Sequence, residues 1–132
     1  MKIILNDQNT WKTKLVEFHD VLCLNLHLED IISGDLYILL EELVSNYFKY
    51  AVSAKFKSEI IIEVQKSAEE VSIEIEYEAE PFNPFEFHHE NETNLKSAKI
   101  GGKGLIIINN LAQEKQYLRI DNKDKLKIIL GG

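Results

Sequence analysis

Two residues one helical turn apart are the first candidates for chemistry. In Leu39-Leu40-Glu41-Glu42-Leu43-Val44-Ser45-Asn46, Glu42 and Asn46 stand four apart, so on a helix they leave from one face. A carboxylate with an amide one turn on can hold magnesium or a water beside a phosphate. Taken alone, the pair is also what any solvated polar helix face carries. A second candidate is Gly101-Gly102-Lys103-Gly104, which precedes the apolar run Leu105–Ala112. Closely spaced glycines at a helix start let the backbone approach a phosphate, and the free N–H groups and helix dipole favour the anion. A third, Pro81-Phe82-Asn83-Pro84, marks a turn and no more. His88 and His89, flanked by Glu86 and Glu90, have metal-ligating side chains, but adjacent histidines in a loop point apart and no partner cluster accompanies them. His19, His27 and Cys23 sit in a helical stretch and read as surface or packing residues.

These groups need elements to place them. Met1–Asn6 reads as a first strand. Trp11, Leu15, Phe18, Val21 and Leu22 recur at steps of three and four, a helix capped by Asn9 or Thr10. Ser33-Gly34-Asp35 reads as a break, with Asp35 as N-cap of a second helix running to about Val52. Leu36, Leu39, Leu40, Leu43 and Tyr47 form the buried stripe of that helix. Ile60, Ile62 and Val64 alternate with Glu59, Ile61 and Glu63; Val71, Ile73 and Ile75 alternate with Ser72, Glu74 and Glu76. A polar turn at Lys66–Glu69 joins these two half-buried strands into a hairpin. A polar stretch without periodicity, Glu86–Lys99, precedes the glycine run. Strands at Gln116–Asp121 and Lys125–Leu130, joined by a turn at Asn122-Lys123-Asp124, close the chain. Hairpins make a mixed, mostly antiparallel sheet, and helices on one face of it give an α+β two-layer sandwich.

The chain of 132 residues fits one domain, residues 1–132, with 45% hydrophobic and 28% charged residues. One cysteine rules out a disulfide framework within the chain and suits a reducing, cytoplasmic setting. No apolar run approaches the roughly 20 residues of a membrane span. A net charge of −7 with scattered lysines supplies no basic face for nucleic acid.

The three motifs, in this order and spacing, resemble the GHKL (histidine-kinase-like) ATPases, closest to the bacterial anti-sigma-factor serine kinases. The resemblance covers most of the chain. That branch carries Glu-x-x-x-Asn, then a basic residue and a His; here these are Glu42, Asn46 and Lys49, with Tyr50 in place of the His. Its Asp-x-Gly-x-Pro-Phe-x-Pro is matched by Tyr77-Glu78-Ala79-Glu80-Pro81-Phe82-Asn83-Pro84, and its Gly-x-Gly-Leu by Gly102-Lys103-Gly104-Leu105. The resemblance implies a Bergerat fold and ATP with magnesium as cofactor. Asn46 would coordinate the magnesium, and Glu42 would be the general base. Lys49, Tyr77, Ala79, Gly102, Lys103, Gly104 and Leu105 would fall at the nucleotide, with Glu86–Lys99 as a lid. It further implies a protein partner, a sigma factor or an antagonist phosphorylated on serine, and a homodimer. Tyr77 and Ala79 depart from the family Asp and Gly that meet adenine. Loss of one buried polar partner costs about 1–3 kcal/mol. The alternative is a non-catalytic interaction module that keeps the fold without ATP.

Overall fold

Two periodicities in the sequence are solved by a single core. In the computed structural model, which describes residues 1–86, 109–110 and 112–131, the helices lie over one face of a five-stranded sheet. The elements are β1 (Lys2–Leu5), α1 (Trp11–Leu26), α2 (Asp30–Asn46), β2 (Ile60–Ser67), β3 (Glu70–Glu78), β4 (Glu114–Ile120) and β5 (Lys123–Gly131). A π-helical turn, Tyr47–Ala51, continues α2, and a 3₁₀ turn, Pro84–Glu86, follows β3. The sheet order is β1-β2-β3-β5-β4, and every pairing among the described residues is antiparallel. The expected glycine run and most of the Glu86–Lys99 lid and Leu105–Ala112 helix lie outside the described residues.

Strand alternation decides which side chains meet the helices. Ile60, Ile62 and Val64 of β2, Val71, Ile73 and Ile75 of β3, and Leu126, Ile128 and Leu130 of β5 are buried. They meet Leu15, Phe18 and Leu22 of α1 and Leu36, Leu39, Leu40, Leu43 and Val44 of α2. Each such side chain contributes roughly 1.5–3 kcal/mol by leaving water. Trp11 stacks on Phe48, with ring centroids 5.9 Å apart. Val21, expected on the buried face of α1, is exposed instead: the stripe that faces the sheet runs through Leu15, Phe18 and Leu22, and Val21 falls beside it.

On the opposite face of the sheet, over which no described helix lies, β3 and β5 are charged. Glu74, Glu76 and Glu78 of β3 stand opposite Lys127, Lys125 and Lys123 of β5. Diagonal ion pairs join Lys123 to Glu76 at 3.6 Å and Lys125 to Glu74 at 3.8 Å. Cross-strand pairs of this exposed kind contribute at most about 1 kcal/mol each.

The second helix corrects the sequence expectation. It starts at Asp30, five residues before the anticipated cap at Asp35, and Ser33 and Gly34 lie inside it. The Ser33 N–H donates to the Glu29 carbonyl at 2.8 Å, which closes the first turn. His19 of α1 docks on this turn: its Nε2 lies 2.8 Å from the Ser33 carbonyl oxygen, and the Cys23 Sγ lies 3.0 Å from the Ser33 hydroxyl. Contacts to α1 therefore hold a segment that local propensity would have released. The closing hairpin differs too. Its turn is Asp121-Asn122, with Asp121 at φ 55°, so Lys123 and Asp124 belong to β5 rather than to the turn.

Candidate functional site

The inward rows of β3 and β5 change character at one end. After Ile75 comes Tyr77, and ahead of Leu126 comes Asp124, and these two are register partners. Asp124 is fully buried. Its Oδ1 accepts from the Tyr117 hydroxyl at 2.7 Å and from Arg119 Nη1 at 2.9 Å, and its Oδ2 accepts from the Phe82 backbone N–H at 3.2 Å. Arg119 also donates to the Ala79 carbonyl at 2.6 Å, and the Ala79 N–H donates to the Asn122 carbonyl at 3.0 Å. The segment leaving β3 is thereby tied to the β4–β5 hairpin at both Ala79 and Phe82.

Above this rung the end of α2 and the π-helical turn stand clear of the sheet. A cleft of about 390 Å³ opens between them, within the size range of small-molecule sites. Its walls are Asn46, Tyr47, Tyr50 and Ala51 on the helix side and Tyr77, Ala79, Pro81, Phe82 and Asp124 on the sheet side, among others. The turn is π-helical because the Val52 N–H reaches the Tyr47 carbonyl, five residues back, at 3.2 Å. Such turns recur at functional sites. Here the turn puts Tyr47, Tyr50 and Ala51 together on the cleft.

The wall is aromatic. Tyr47 and Tyr77 have ring centroids 5.0 Å apart, while Tyr50 and Phe82 at the mouth are half or more exposed. Burial raises the Tyr77 phenol above its ordinary range, and the neighbouring Asp124 charge adds to the effect. Tyr117 is pushed up to about 12, by burial first and then by its bond to Asp124. Tyr47 is also pushed up to about 12, by burial first. The Tyr47 hydroxyl is buried and meets no well-formed hydrogen-bond partner among the described residues, the Glu59 backbone being the polar group that acts on it.

Of the residues singled out in the sequence, Asn46, Tyr77 and Ala79 line this cleft. Glu42 is half-buried one turn back on α2 and Lys49 is exposed; neither lines it. Gly102, Lys103, Gly104 and Leu105 lie outside the described residues, as do His88 and His89. Sequence reading missed Tyr47 as a cleft residue and missed the group of Tyr117, Arg119 and Asp124. The signal was present: Asp124 heads an alternating row with Leu126, Ile128 and Leu130. Placing the turn at Asn122–Asp124 hid it.

An amide oxygen at the rim suits magnesium, which takes few protein ligands, keeps several waters and shares phosphate oxygens. Asn46 fits that role. Among the described residues no group of three His, Cys, Asp or Glu side chains could form a closed metal cage. No described helix is long and apolar enough to cross a membrane.

The chain is similar in structure to the histidine kinase AdeS of Acinetobacter baumannii, at 14% identity and a TM-score of 0.47, over 99% of this chain and 67% of that one. No curated protein matches it. A family model for the histidine kinase-like ATPase domain matches residues 10–130. That span holds both helices, the four strands β2 to β5 and every wall of the cleft, and the chain belongs to the histidine kinase-like ATPase domain family.

Proposed function

We propose that this cleft binds a nucleotide, ATP with magnesium, in a cytoplasmic regulatory protein that acts by binding another protein, in the manner of the anti-sigma-factor serine kinases. The observation that carries the reading is that Asn46 from α2 and Tyr77 from β3 wall one cleft of about 390 Å³. The base would lie among Tyr47, Tyr77 and Phe82. Asn46 would hold magnesium against the phosphates, with Gly102 and Gly104 supplying backbone N–H groups. Magnesium bound there neutralises phosphate charge and orients the terminal phosphoryl group. The partner expected is a sigma factor or its antagonist, and a homodimer fits the same regulatory type.

A second reading has its own support. Glu42, the one candidate general base, does not line the cleft, and the Asp and Gly that would meet adenine are Tyr77 and Ala79. These features favour a module that binds its protein partner without phosphoryl transfer.

Calorimetry with ATP, with and without magnesium, tests the first reading. The expected result is weak binding, with a dissociation constant above the low micromolar range, that magnesium strengthens. Asn46→Ala should remove the magnesium effect, and no hydrolysis should occur without a partner. No heat and no thermal shift at millimolar magnesium-ATP would leave the interaction module standing, since a ligand that binds only the folded state must raise its stability.

A further inference from the structure

The strand registers write one pattern on the sheet face turned away from the described helices. Across its middle rung the residues read Ile4 of β1, Ile61 of β2, Glu76 of β3, Lys125 of β5 and Leu118 of β4. The rung on one side reads Lys2, Glu63, Glu74, Lys127 and Gln116, and the rung on the other side holds Glu78, Lys123 and Ile120. Two columns therefore run side by side down the centre, acids on β3 and lysines on β5. Apolar residues flank them, and Ile4, Leu118 and Ile120 are exposed. The three rungs hold four acids and four lysines, so this patch is neutral in a chain of net charge −7. The columns already pair within the chain, through Lys123 with Glu76 and Lys125 with Glu74, yet all four side chains still reach solvent.

Such a pattern is complementary to itself under one operation. A two-fold axis along the strands, between β3 and β5, turns a second copy face down and exchanges left for right. Glu74, Glu76 and Glu78 then lie over Lys127, Lys125 and Lys123 of the second copy, and its acids lie over the lysines of the first. The same rotation brings Ile61 over Leu118 of the second copy, and Leu118 over its Ile61. An axis across the strands would instead set acids on acids. Reciprocal contact of this kind is what a closed dimer requires. Charge then fixes orientation and register, while the apolar flanks gain by leaving water.

We propose that two copies of this chain pair through this face, with β3 of each over β5 of the other. The proposal gives the homodimer of the regulatory reading its surface, and it does not depend on nucleotide binding. The cleft lies on the helix side of the sheet and stays open in the dimer. Five strands about 4.8 Å apart and three rungs about 7 Å apart cover on the order of 500 Å² per copy, the low end for a specific interface, so the dimer is a reversible one.

The test is sedimentation velocity of the full chain over a concentration series, which should show monomer and dimer in exchange. Glu74→Lys with Glu76→Lys should weaken self-association about tenfold or more, and so should Lys125→Glu with Lys127→Glu, because like charges then face each other across the axis. Mixed one to one, the two double variants should pair again, since acid meets lysine at each of the four changed positions. Circular dichroism checks that both fold. If either does not, Leu118→Asp, at an exposed position, decides: it too should weaken the dimer about tenfold. A wild-type chain that stays monomeric at every concentration overturns the proposal. So does a dimer that none of these variants weakens, which leaves a homodimer with another surface, and so do folded double variants that fail to pair when mixed. None of these outcomes bears on nucleotide binding, which calorimetry reads separately.

Discussion

The inward face of β3 and β5 contains two regions built from one backbone. Its first three rungs pair Val71 with Leu130, Ile73 with Ile128 and Ile75 with Leu126; its fourth pairs Tyr77 with Asp124. The strands, register and face do not change. What changes is that aliphatic side chains covered by α1 and α2 give way to a phenol and a carboxylate next to a cleft. Three dry rungs gain from leaving water alone. The fourth buries a carboxylate that must be satisfied, and Arg119, Tyr117 and the Phe82 N–H occupy the oxygens of Asp124. A network of that kind is retained where something other than stability is at stake.

The comparison breaks most easily at Asp124. Asp124→Ala strands the Tyr117 hydroxyl and the Arg119 guanidinium, whose side chain is 25% exposed. The cost is expected at about 3 kcal/mol, the low end for one partner of a buried pair. Ile73→Ala, on a dry rung, is expected to cost about 2–5 kcal/mol. Urea unfolding would show similar losses for both. Ligand titration of the folded variants should separate them, with Asp124→Ala alone loosening the cleft. An Asp124→Ala variant within 1 kcal/mol of wild type would mean that the fourth rung is no network.

The next effect is on pH. Tyr47 and Tyr117 are both held near 12, above the value of about 10 in an unfolded chain. A raised folded pKa adds stability that is complete below pH 10 and lost as pH rises from 10 through 12. Stability should therefore fall across that window, chiefly through the buried Tyr47 and less through Tyr117, whose interactions solvent screens. Tyr47→Phe should flatten the fall. At neutral pH the same change removes a buried hydroxyl with no well-formed partner among the described residues, so it should be neutral or stabilising. A loss above 1 kcal/mol at pH 7 would show that the hydroxyl is satisfied in solution.

The smallest effect lies in the helix above the sheet. Gly34 sits within α2, and an added Cβ would meet nothing within 4 Å. Gly34→Ala should stabilise the protein by roughly 0.5–1 kcal/mol, visible as a higher urea midpoint. A loss there would mean that the glycine serves packing or motion, and that α2 is not the plain helix that positions Asn46.

These cases show how far the sequence could be read. Strand alternation from Ile60 to Ile75 and the leucine stripe of α2 were legible, because burial writes a period into the residues it selects. The start of α2 was not. Ser33 and Gly34 locally favour a break, and their helical state depends on the docking of α1 through His19 and Cys23. The Asp124 group failed for a different reason. A polar residue two places after Asn122 looks like part of a turn until the register places Arg119 opposite it. On the candidate site, Asn46 came from its spacing to Glu42 and Tyr77 from a resemblance of motifs, and their meeting at one cleft is a property of the folded chain. Tyr47 read as ordinary core.

The π-helical turn holds one residue more than an α-helix would use to cover the same rise. Deleting one codon between Tyr47 and Ala51 would let the ladder run on as α-helix. Residues beyond the deletion would keep their places, and the change would fall on the widened turn itself. The turn that gathers Tyr47, Tyr50 and Ala51 on the cleft would be lost, while Asn46, upstream of it, would stay. The aromatic mouth thus depends on a single residue of the turn, and neither the sheet nor Asn46 does.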